Sequence, residues 1–93
     1  MQVDKRLVRS ERFAWQVIEE QALLVDREED EVLRLNPIGT EIWEALDGSR
    51  SIAETIDLVH HRFDVDRHTA EHDVIRFVKD LIRREMVEEV QRA

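Results

Sequence analysis

The stretch Leu35-Asn36-Pro37-Ile38-Gly39-Thr40-Glu41-Ile42-Trp43-Glu44-Ala45-Leu46-Asp47-Gly48 divides the chain into two halves with different hydrophobic periods. Asparagine is a good helix N-cap because its side chain accepts a bond from a free backbone N–H, and proline at the first helical position gives up no needed donor. A helix therefore starts at Asn36-Pro37. Ile38, Ile42, Ala45 and Leu46 recur at helical spacing with Trp43 beside them, and Asp47-Gly48 supplies the stop, with Gly48 expected as a left-handed C-cap. Trp43 is assigned to the core, since a large apolar residue on a capped helix ordinarily serves packing.

Toward the N-terminus the period is two. Phe13, Trp15 and Val17 alternate with Ala14, Gln16 and Ile18, which reads as a strand. Glu19-Glu20 is a polar break, and Ala22 to Val25 is a short aliphatic second strand. After the charged turn Arg27-Glu28-Glu29-Asp30, Val32 to Leu35 forms a third run with Leu33 and Leu35 on one face. Three such strands with short turns make an antiparallel meander. Residues 1–11 are polar, mostly charged and without sustained period, so they are expected to be a loosely held arm before a single domain over residues 12–90.

Toward the C-terminus, Ser51-Ile52-Ala53-Glu54 is a capping box, in which the hydroxyl and the carboxylate each satisfy one backbone donor. A second helix follows through Ile56, Val59 and Phe63. Asp64-Val65-Asp66 leads into a third helix over roughly Arg67 to Arg84, capped by Asp66 or Thr69, and Met86 to Val90 is either a short strand or a frayed end. The expected class is α+β: a three-stranded antiparallel sheet followed by three helices.

Composition narrows what such a domain does. At 93 residues the chain buries only ~60–65% of the surface its unfolded form exposes, which leaves one modest core and little room for a deep active site. With 14 Lys and Arg against 22 Asp and Glu the formal charge is -8, a bias against polyanions such as nucleic acid. The absence of cysteine removes disulfides, thiolate metal sites and cysteine nucleophiles, and is compatible with a cytoplasmic location. The longest apolar run is Ala22-Leu23-Leu24-Val25, too short for a signal peptide or a membrane span.

The third helix carries more apolar face than a surface helix needs. With Val74 at 0° and about 100° per residue, Ala70, Phe77 and Leu81 fall between about 300° and 340°, and Val78, Ile82 and Ile75 between about 40° and 100°. The arc spans about 160°, against ~100° for an ordinary amphipathic helix. Lys79, Arg83 and Arg76 continue beyond the Ile75 and Ile82 edge, an apolar strip with a basic border. Either this helix is central and covered on both edges, or one edge faces a ligand.

The order of elements, the Leu35 to Gly48 string, Ser51-Ile52-Ala53-Glu54-Thr55-Ile56, Phe63-Asp64-Val65 and Asp73-Val74-Ile75-Arg76-Phe77-Val78-Lys79-Asp80-Leu81 together resemble the pyrroloquinoline quinone biosynthesis protein D family (PqqD) over about residues 13–87. The resemblance implies a winged helix-turn-helix-like recognition element for the leader of a ribosomally synthesised precursor peptide. The leader adds as a strand to the free edge of the third strand and packs against the third helix, so that backbone bonds supply affinity and alternate side chains supply specificity. Carried onto this chain, the edge is Glu31, Val32, Leu33, Arg34 and Leu35, and the groove wall is Val74, Ile75, Val78 and Ile82. Lys79 and Arg83 stand at the rim for acidic leader side chains. The resemblance further implies a non-catalytic adaptor with no cofactor or metal, serving a separate modifying enzyme, for which a radical S-adenosylmethionine protein is one candidate. The sequence leaves monomer and homodimer open. It departs from the family at Glu85, where a glycine often precedes the last apolar pair, and in the acidity of residues 27–31.

Two rival readings are weaker. His68-Thr69-Ala70-Glu71-His72 matches the H-x-x-E-H pattern of inverted zinc peptidases, but no third ligand accompanies it and the chain is too short for such an enzyme; exposed histidines near a capped helix start are the simpler account. A winged-helix DNA-binding or transcription-regulator module fits the helical half, yet its recognition helix would carry Glu71, Asp73 and Asp80 toward phosphates. No nucleophile with a base and no phosphate loop supports an enzyme.

Overall fold

The computed structural model describes residues 1–90. Its elements in chain order are β1 (Arg6–Arg9), β2 (Phe13–Ile18), β3 (Gln21–Asp26), β4 (Val32–Arg34), α1 (Pro37–Ala45), β5 (Asp47–Ser51), α2 (Ile52–Arg62), α3 (Arg67–Arg83) and β6 (Val87–Glu89). The α+β class holds, with the expected meander and three helices, but there are two three-stranded antiparallel sheets: β2-β3-β4 and β5-β1-β6. No helix among the described residues is long and apolar enough to cross a membrane.

The second sheet corrects the reading of residues 1–11 as a loose arm. Arg6 pairs with Ser51, Leu7 with Glu89 and Arg9 with Val87, and Leu7 is buried. Residues before β1 are tied down as well, since Ile52 N donates to Lys5 O and Ala53 N to Val3 O at the start of α2. Only Leu7 of Arg6-Leu7-Val8-Arg9 reaches the core, so no apolar alternation betrays the strand. Its partners lie far along the chain.

Local signals fare better. Asn36 has extended backbone and its Oδ1 accepts from Gly39 N at 2.7 Å, with Pro37 opening α1. The C-terminus of α1 differs from expectation. Leu46, not Gly48, closes the helix, and Gly48 lies inside β5 with φ +88°. The last carbonyls of α1 are met by Arg9, whose Nη1 donates to Trp43 O at 2.9 Å and Glu44 O at 2.8 Å, a cation at the negative end of a helix. The capping box of α2 is complete, with Ser51 N donating to Glu54 Oε1 and Glu54 N to Ser51 Oγ. Asp66 caps α3 by accepting from Thr69 N at 2.7 Å.

The end of α3 explains the departure at Glu85. Met86 N donates to Leu81 O and Glu85 N to Ile82 O, the paired bonds of a Schellman motif, and Glu85 occupies its left-handed position at φ +58°. Buried Leu81 and Met86 supply the apolar contact that accompanies the motif. A side chain at positive φ costs about 1–2 kcal/mol relative to glycine. Glu85→Gly is therefore expected to stabilise the domain by about 1 kcal/mol, read as a raised urea midpoint with unchanged slope.

The core lies between the helices and the inner faces of both sheets. Trp43, Leu24, Ile42, Leu46, Ile52, Val59, Val74, Val78 and Leu81 are all essentially inaccessible. Buried hydroxyls are satisfied: Thr55 Oγ1 donates to Ser51 O, and Thr40 Oγ1 accepts from Ala22 N and donates to Leu35 O, which ends the ladder between β3 and β4.

Asp26 pins the turn between β3 and β4. Its carboxylate takes two bonds from Arg12, at 2.8 and 2.7 Å, and accepts from the backbone N–H of Glu28 and Glu29. The Arg12 bond, followed by those backbone donors, lowers its pKa from 3.8 to about 2. Because the folded value is depressed, the stabilisation is fully present above pH 3.8 and is lost as pH falls toward 2. Asp26→Asn should be less stable than wild type at neutral pH, and the gap measured by urea denaturation should close across that acid window.

Candidate functional site

β4 is an edge strand, and its hydrogen-bond parity decides what it offers. Asp26 N donates to Glu31 O and Leu35 N to Ala22 O, while the register pairs Val25 with Val32, Leu24 with Leu33 and Leu23 with Arg34. Since bonded and non-bonded pairs alternate in an antiparallel ladder, Glu31, Leu33 and Leu35 turn their backbone groups toward β3. Val32 and Arg34 turn theirs outward. Of the five edge residues expected from the sequence, these two present free N–H and C=O groups for a further strand. Val32 is also the most exposed large apolar residue, at 61%.

Beside the end of β4 runs a groove of about 1000 Å³ between the start of α1 and α3. Leu35, Ile38, Ile42, Ile75 and Phe77 supply its apolar surface. Gly39 faces Phe77 across this groove and sits tight against the N-cap, since a Cβ there would stand 3.2 Å from Asn36 Oδ1 and in ordinary contact, 3.5 Å, with Phe77 Cζ. Charged side chains line the rest: Arg34, Arg76, Lys79 and Arg83 against Asp73 and Asp80, with His72. Asp80 is engaged by Arg83 and by Arg84, whose Nε lies at 3.5 Å. Arg34, Arg76 and Lys79 form no ion pair among the described residues. On a chain of net charge -8 this groove is locally basic.

Of the residues expected from the sequence, Arg34, Leu35, Ile75, Lys79 and Arg83 line this groove together. Glu31, Val32 and Leu33 lie on or beside β4 without lining it, Leu33 facing in beside Leu24. Val74 and Val78 are wholly buried, and belong to the core instead of a groove wall. Ile82, 44% exposed, faces a second pocket of about 380 Å³ with Met1, Leu7, Ile52 and Val87 on the side of β1 and β6. Asn36, Ile38, Gly39, Ile42, His72, Asp73, Phe77 and Asp80 were not foreseen, and Arg76, read from the sequence only as part of the basic border of the third helix, lines the groove as well. Periodicity did show that α3 has too wide an apolar arc, but it assigned Phe77 to the core half. The first turns of α3 also hold His68, Glu71 and His72, and among the described residues no group of three His, Cys, Asp or Glu side chains is placed to hold a metal ion.

The sequence profile described as Coenzyme PQQ synthesis protein D (PqqD) matches residues 21–87. The chain belongs to the PqqD family. The match takes in β3, β4, all three helices and the groove, whereas β1 and β2 precede it. No curated protein matches the sequence of this PqqD-family chain. Three solved structures are similar in fold. TbiB1 in complex with the TbiA(beta) leader peptide has a TM-score of 0.78 and 24% identity, over 91% of this chain and 99% of that one. Lasso peptide synthetase B1 complexed with the leader peptide has a TM-score of 0.77 and 20% identity, over 89% and 98%. The heterocyclase TruD has a TM-score of 0.62 and 18% identity, with 92% of this chain matching only 12% of TruD.

Proposed function

We propose that this PqqD-family chain is a non-catalytic adaptor that binds the leader of a ribosomally synthesised precursor peptide and presents the peptide to a separate modifying enzyme. The observation that carries this is the outward-facing backbone of Val32 and Arg34 beside a locally basic groove with an apolar floor. A leader added antiparallel or parallel to β4 would bond to those two residues, and every second side chain would turn toward Leu35, Ile38 and Phe77. Arg34, Arg76 and Lys79 favour a leader with acidic residues flanking apolar ones. Two similar folds were solved with leader peptides bound, which supports the same use here. Nothing in the groove favours DNA, because Asp73 and Asp80 stand among its cations. The modifying enzyme belongs to the same proposal, with a radical S-adenosylmethionine protein as one candidate.

The test is an NMR titration of labelled protein with the leader peptide encoded beside its gene. Amide shifts are expected at Val32, Arg34, Phe77 and Lys79. Absence of binding, or shifts confined to the far side of α3 near Ile82, would sink the reading.

A further inference from the structure

The other edge of the β2-β3-β4 sheet is also open. Arg27 N donates to Arg12 O, and the register runs without interruption from Phe13 opposite Asp26 to Ile18 opposite Gln21. The same parity argument turns Ala14, Gln16 and Ile18 toward β3, and leaves the N–H and C=O of Trp15 and Val17 pointing away from the sheet. Natural edge strands are usually blunted by charge, proline, a bulge or shortness. β2 itself has none of these: it is six residues long, uncharged and regular, with Trp15 37%, Val17 39% and Ile18 47% exposed, and the cations near it, Arg9 over the Trp15 ring and Arg12 over the Phe13 ring, come from outside the strand. It ends in a two-residue turn of Glu19 and Glu20, both at positive φ, 50° and 66°. Asparagine and glycine adopt that turn readily, whereas glutamates there are strained and carry two carboxylates at the end of the edge.

We infer that the β2 edge is a second strand-addition site, and that its occupant is an extended segment, basic at the end that meets Glu19 and Glu20, of the enzyme that receives the leader-bound complex; this rests on the adaptor reading above. The unpaired backbone groups call for an extended partner, and the Glu19-Glu20 end calls for cations. A second copy is a poorer occupant. Parity allows two antiparallel self-pairings of similar overlap: one sets Glu19 opposite Glu11 of the other copy, a like-charge pair, and the other sets Glu20 opposite Arg12, whose guanidinium is already held by Asp26. The leader is a poorer occupant too, since neither pocket is lined by a β2 residue to receive alternate side chains. With β2, β3 and β4 between them, enzyme strand and leader strand would lie about 19 Å apart, at about 4.8 Å per strand, so both could bind at once.

The experiment measures two affinities of the full chain: for the purified modifying enzyme encoded beside its gene, and for the labelled leader peptide. Val17→Pro removes one outward donor, and the Glu19→Lys, Glu20→Lys pair reverses the charge at the turn while leaving its conformation alone. Each is expected to weaken enzyme binding at least about tenfold and to change leader affinity by less than about twofold. If Val17→Pro does not fold by circular dichroism, the charge reversal decides alone. An enzyme that does not bind wild type, or binds the folded variants as tightly, overturns the inference. So does a wild-type dimer in sedimentation velocity that Val17→Pro dissociates, which would assign the edge to a second copy. Failure of wild type to bind the leader instead overturns the adaptor reading and leaves the enzyme measurement to be read separately.

Discussion

Val32→Pro is expected to weaken leader binding by about 10- to 100-fold while leaving the domain folded. The reason is the parity of β4: Val32 directs its N–H away from β3, so proline at this edge position removes no bond of the native sheet. It does remove a donor from any strand added there. The leader carbonyl facing that donor would be left unpaired in a water-poor contact, which costs about 1–3 kcal/mol. Val32→Ala keeps the donor and should bind within a few-fold of wild type, which separates a backbone effect from a side-chain effect. Leu33→Pro, one residue on, should instead unfold the protein, because Leu33 spends its backbone on β3 and faces Leu24 in the core. Fluorescence anisotropy with labelled leader, beside thermal melts of the three variants, checks the whole set. Equal affinity of Val32→Pro and wild type would remove β4 as the pairing edge.

Trp43→Ala is expected to cost about 3–5 kcal/mol, a large share of the ~5–14 kcal/mol that a domain of this size possesses. Trp43 is 0% exposed and takes edge-on contacts from the rings of Phe13 and Trp15, both 6.4 Å away, so it joins α1 to β2. Truncation opens a cavity that those rings cannot fill without shifting β2. Trp43→Phe should be much milder. The indole Nε1 is buried without a hydrogen-bond partner, and phenylalanine relieves that cost while losing some volume. Urea denaturation of the two variants measures the difference. Leader affinity, compared where both remain folded, should be close to wild type, because Trp43 does not line the groove.

Much of the fold was legible because its signals are short-range. Asn36-Pro37, the Ser51 to Glu54 box and Asp66 each announce a helix within four residues, and the caps sit where those residues stand. The alternation from Phe13 to Ile18 and the shorter runs after it gave the meander, and the spaced similarities gave the family. Glu85 was legible as an anomaly, and its meaning emerged once the Schellman bonds put it at positive φ.

The candidate site was legible in outline only. The sequence marked the third strand and the third helix as neighbours of a binding edge, and Arg34, Leu35, Ile75, Lys79 and Arg83 do share a groove. It did not reveal which edge residues direct their backbone outward, since that depends on the register between β3 and β4. Nor did it reveal which flank of α3 is covered. Val74 and Val78 are spent on the core, Ile82 turns toward β1 and β6, and Phe77 meets Gly39 of α1.

By itself, then, the sequence determined the helices, their starts, the three-stranded meander and the family, all written in capping chemistry and hydrophobic period. The tertiary structure alone decided the second sheet, the end of α1 at Leu46 with Arg9 on its last carbonyls, the two outward residues of β4 and the groove-facing side of α3. These depend on pairings between distant segments, such as Leu7 with Glu89, and on which neighbour covers a side chain. A local pattern states that a face must be buried; only packing states against what.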